Sequence, residues 1–117
     1  MINNDILNQI NIEDIIWIIF IILSILNIYG NYNEKQYSKT HNNYYKVTSN
    51  KTFEFTIITT FFIYLYFFYR NYKAYQESQN KELYRAKVLG STFLIAGILC
   101  LLYFQEKQNH FIGSPGI

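Results

Sequence analysis

One cysteine, one proline and five glycines occur among the 117 residues, and only 15% of the chain is charged. Soluble domains carry roughly 25% charge. The lone Cys100 excludes an internal disulfide. A net charge of +2 is too small to draw the chain to nucleic acid. No His-x-x-x-His, Cys-x-x-Cys, Gly-x-Ser-x-Gly or phosphate-cradling glycine loop occurs. His41 and His110 lack the cysteines or acids that would complete a metal site. No catalytic residue, metal or cofactor is therefore expected. Alanine is also scarce, at Ala74, Ala86 and Ala96, while Ile, Phe, Tyr, Asn and Lys abound. AT-rich codons encode those abundant residues, which points to a low-GC bacterial genome.

What is present lies in three uncharged blocks: Ile15–Tyr29, Phe55–Tyr69 and Val88–Phe104. As helices they are about 22–26 Å long at ~1.5 Å per residue. A standard span needs about 20 residues and 30 Å, and ends rich in Tyr, Asn and Lys make up the difference at the interface. A soluble bundle would give each helix one apolar stripe and one polar face, whereas Ile15–Leu23 and Phe61–Phe68 are apolar on every side. The blocks lack the alternation of barrel strands, and three strands cannot close a barrel. The expected fold is an all-α, multi-pass protein of the cell membrane, with spans near 13–30, 53–70 and 87–105. The lipid bilayer is then its first partner.

Residues 1–14 contain no Lys or Arg and carry Asp5, Glu13 and Asp14. No small-x-small cleavage site follows the first block, so that block is expected to stay as an anchor. Residues 31–52 are polar, show no helical period, and read as an interfacial loop. Residues 70–87 have good helix formers and neither Gly nor Pro. The second helix is expected to continue to about Glu77, turn near Ser78-Gln79-Asn80, and hand over to the third near Lys81. Spans two and three then form a hairpin, with loop 71–86 extending beyond the bilayer. Residues 106–117, ending in GSPGI, read as a flexible tail. Lys and Arg divide five against five between the two sides. The dense basic flanks of the second loop tip the orientation slightly towards an internal N-terminus.

Three sets of residues carry packing. Ala86, Gly90, Phe93, Gly97 and Cys100 recur at spacings of four and three in the third span. Small residues on one face let helix backbones approach closely. The stripe reads first as a packing seam within the three-helix unit, and second as a seam for another copy or a membrane-protein partner. Ser24 and Asn27 share one face of the first span, and Thr56 and Thr60 share one of the second; they read as polar helix contacts. Antiparallel threading brings Asp14 level with Arg70 and Lys87, giving an interfacial charge cluster. The function expected is that of a small non-enzymatic membrane protein working through helix–helix contacts, as a subunit or accessory factor. Two alternatives remain open: a holin-like or small oligomeric channel, and an immunity protein against a membrane-active peptide. The last rests on composition alone.

Overall fold

The computed structural model describes residues 4–107. Helix α1 spans Asn4–Thr40, α2 spans Asn43–Glu77 and α3 spans Lys81–Lys107. The described residues contain no strand. All three helices are long and apolar enough to cross a membrane. Each runs antiparallel to the next. Helix α2 packs against both others, whereas α1 and α3 do not meet. The result is a flat row of helices, 59 by 25 by 15 Å.

The α2–α3 turn falls where the sequence puts it. Ser78 caps α2, its hydroxyl accepts from the Asn80 amide at 3.0 Å, and the Asn80 side chain accepts from Leu83 N at 3.2 Å. These side chains satisfy amides that a helix start leaves free.

The first connection differs from expectation. Residues 31–52, read as a loop, are helical except for His41 and Asn42. At the tip, His41 adopts φ 55°, and its amide donates to Tyr37 O at 2.7 Å. This is a left-handed helix end, a conformation histidine visits more readily than most residues. Asn42 then caps α2 by accepting from Tyr44 N at 3.0 Å. The helices persist because α1 and α2 pack along this segment, burying Gly30, Asn33, Ser49 and Phe53. Packing of one face supplies most helical stability in proteins, and moderate propensity does not prevent it. The expected tail begins later than residue 106, since α3 continues to Lys107. Residues 108–117, with His110 and GSPGI, lie outside the described residues.

The core is thin. Ile16, Leu23 and Ile63 form its centre, with Ile19, Phe20, Leu26, Tyr66 and Phe67 packed around them. In the most apolar stretch of each helix, only 11%, 22% and 17% of residues in α1, α2 and α3 are buried. Ile21, Ile25, Phe62 and Phe93 are each at least 60% exposed. The greater part of the apolar surface therefore faces outward.

Candidate functional site

The α1–α2 seam is built on heptad-like spacing. Glu13, Ile16, Phe20, Leu23, Asn27, Gly30 and Asn33 recur every three or four residues and so share one side of α1. Three pairs fix its register. Arg70 Nη1 lies 3.1 Å from Glu13 Oε2. The Thr56 hydroxyl lies 3.1 Å from Asn27 Oδ1 and 2.9 Å from Phe53 O, sharing its one proton between them. The Phe53 ring, fully buried, fills the place where Gly30 has no side chain. The step from Glu13 to Asn27 equals the step from Arg70 to Thr56, so one antiparallel register serves all three.

Two of the expected polar contacts take another form. Ser24 donates to Phe20 O at 2.9 Å and Thr60 to Thr56 O at 2.7 Å, each within its own helix. Asn27 and Thr56 are the members of that set that reach across. The expected charge cluster needs a correction too. Glu13, not Asp14, meets Arg70. One residue turns a helix by about 100°, so Glu13 joins the Ile16–Phe20 face while Asp14 points away and is exposed. Arg70 also lies 4.9 Å from the Phe67 ring centre. Lys87 lines one hollow with Glu13, Arg70 and Asn71. The cluster is therefore Glu13, Arg70 and Lys87.

Arg70→Glu is expected to destabilise the protein by about 1 kcal/mol, the scale of a partly exposed ion pair. Adding Glu13→Arg is expected to recover most of it. Thermal unfolding in lipid nanodiscs checks both, and a double variant no better than the single one would refute the pairing.

The α2–α3 seam was less visible in the sequence. Asn71 Nδ2 donates to Ser91 Oγ at 2.7 Å, and both residues are buried. Further along, Gln105 Nε2 approaches Asn50 O at 3.5 Å. Tyr84, Val88, Ser91, Ile95, Ile98, Leu102 and Gln105 form the covered stripe of α3. The expected seam lies elsewhere. Ala86, Gly90, Gly97 and Cys100 are all exposed. A Cβ added at Gly90 or Gly97 would meet no described residue within 4 Å. The reading of this stripe as packing within the three-helix unit is thus corrected: the structure leaves it open.

The described residues hold no group of three or more His, Cys, Asp or Glu placed to bind a metal ion. No family model, curated protein or solved structure matches the chain.

Proposed function

We propose that this is a multi-pass protein of the cell membrane that works by binding another membrane protein, or a second copy of itself, through the outer face of α3. The open small-residue stripe carries this reading. Ala86, Gly90, Gly97 and Cys100 line a face that no described residue covers. Glycines on a lipid-facing helix bring no packing benefit alone; against a second helix they permit close backbone contact. The exposed apolar belt supports the membrane setting, because soluble monomers rarely leave such large contiguous apolar surfaces uncovered. In that setting the polar ends of the α1–α2 and α2–α3 hairpins project beyond the bilayer on opposite sides.

Cys100 supplies the test, since its exposed thiol lies on the stripe itself. Thiol crosslinking in native membranes, followed by mass spectrometry, is expected to trap one defined dimer or partner. Cys100→Ser should abolish the product. Recovery of monomer alone, or of a random spread of membrane proteins, would refute the proposal.

A further inference from the structure

A hollow of about 510 Å³ opens between the first turns of α1 and the last turns of α2. Its lining includes Asp5 and Gln9 from α1, with Tyr69, Arg70, Lys73 and Glu77 from α2. The hollow begins where the apolar blocks end: Arg70 is the first charge after Phe55–Tyr69. It continues outward for about two helical turns, roughly 10 Å at 1.5 Å per residue. A bilayer's headgroup layer occupies about 5–7 Å beyond the hydrocarbon on each side. The hollow therefore opens at headgroup depth if the apolar blocks occupy the bilayer.

Its charges are of both signs and largely unspent. Arg70 is held by Glu13. The side chains of Asp5, Lys73 and Glu77 make no ion pair or hydrogen bond with any described residue. Among the described residues that line the hollow, Arg70 and Lys73 balance Asp5 and Glu77, so no positive excess favours an anionic lipid. A ligand carrying phosphate and ammonium together would match the lining, with its phosphate towards Lys73 and the free edge of Arg70. Its ammonium would sit towards Asp5 and Glu77. A primary ammonium donates three hydrogen bonds to such carboxylates. A quaternary choline donates none and prefers a cage of rings; here two rings, Tyr66 and Tyr69, stand beside four charged side chains. The geometry points to a binding site for the headgroup of a phospholipid bearing phosphate and a primary ammonium, the chemistry of phosphatidylethanolamine. This goes beyond the partner contact at α3 and requires only the membrane setting.

Trp17, the only tryptophan, reports on the site. In the α1–α2 register it stands level with Tyr66, which also lines the hollow, and it is 54% exposed. The full chain would be placed in phosphatidylcholine vesicles, with increasing amounts of acyl-brominated lipid. Brominated phosphatidylethanolamine is expected to half-quench Trp17 at a several-fold lower mole fraction than brominated phosphatidylcholine or phosphatidylglycerol. The double variant Lys73→Ala/Glu77→Gln should lose that preference while keeping the quenching common to all lipids. Asp5→Asn should weaken it. All three positions are exposed, and helical circular dichroism checks that the fold is kept. Equal quenching by phosphatidylethanolamine and phosphatidylcholine would overturn the site. So would a preference that survives the double variant, or stronger quenching by phosphatidylglycerol. Relief of the preferential quenching by soluble phosphoethanolamine would support recognition through the headgroup. None of these outcomes depends on Cys100 crosslinking.

Discussion

Gly30→Ala is expected to destabilise the α1–α2 hairpin by about 1–3 kcal/mol, the usual cost of forcing extra carbon into a packed interface. Gly30→Leu is expected to cost about 3 kcal/mol or more and to part the helices around Phe53. The sign of the alanine change is informative. Gly to Ala within a helix ordinarily stabilises by about 1 kcal/mol. At Gly30, however, a Cβ would lie 2.7 Å from two carbons of the Phe53 ring. Carbon atoms attract best at about 3.5–4.0 Å. The ring cannot easily retreat, because Phe53 is wholly buried with Ser49 and Thr56 on the same side of α2. Phe53→Leu should relieve Gly30→Ala, although Phe53→Leu alone leaves a gap. Reversible unfolding in bicelles measures the cycle. Gly90→Ala provides the contrast: no described residue stands within 4 Å of a Cβ there, so the propensity gain should appear there undiminished. Equal effects at Gly30 and Gly90 would show that Phe53 does not occupy the place of a Gly30 side chain.

The same pair shows why the first connection was not legible in the sequence. Apolar periodicity detects a helix whose buried side is apolar. Between residues 31 and 52 the buried positions are Asn33 and Ser49. Each turns its polar atoms back onto its own helix: Asn33 Nδ2 donates to Tyr29 O at 2.9 Å, and Ser49 Oγ to Lys46 O at 3.0 Å. A stripe of self-satisfied polar residues leaves no hydrophobic period to count. The second turn was legible because Ser78 and Asn80 act through capping chemistry, which local sequence does reveal. Glu13 and Asp14 were separable only by phase. Both stand at the right depth, and only the position of Ile16 and Phe20 in the core decides which of them reaches Arg70.

Span three presents a different ambiguity. Its covered stripe runs Tyr84, Val88, Ser91, Ile95 and Ile98; its small-residue stripe runs Ala86, Gly90, Phe93, Gly97 and Cys100. Both follow four-three spacing. They are offset by two residues, about 200° around the helix, and so face opposite ways. Spacing alone does not say which of the two faces inward. Asn71 decides between them, since its side chain meets Ser91 at 2.7 Å and turns that stripe towards α2.

That opposition yields the second large effect. Gly90→Ile with Gly97→Ile is expected to leave the folding of the monomer intact and to reduce association through α3 by tenfold or more, equivalent to at least about 1.4 kcal/mol. Neither added side chain meets anything within 4 Å at its Cβ, so α2 should keep its contacts with α3. Against a second helix, two branched side chains would hold the backbones apart and remove the close contact that small residues permit. Thr92→Ile adds bulk at an exposed position about 160° from Gly90 and 140° from Gly97, and it should change association little. Energy transfer between labelled copies in vesicles reads self-association; Cys100 crosslinking reads a different partner. Two results would refute the role of this face: association that survives the double glycine change, and association lost equally with Thr92→Ile. Loss of helical content in the double variant would instead contradict the outward placement of the glycines, because then the monomer itself would need them.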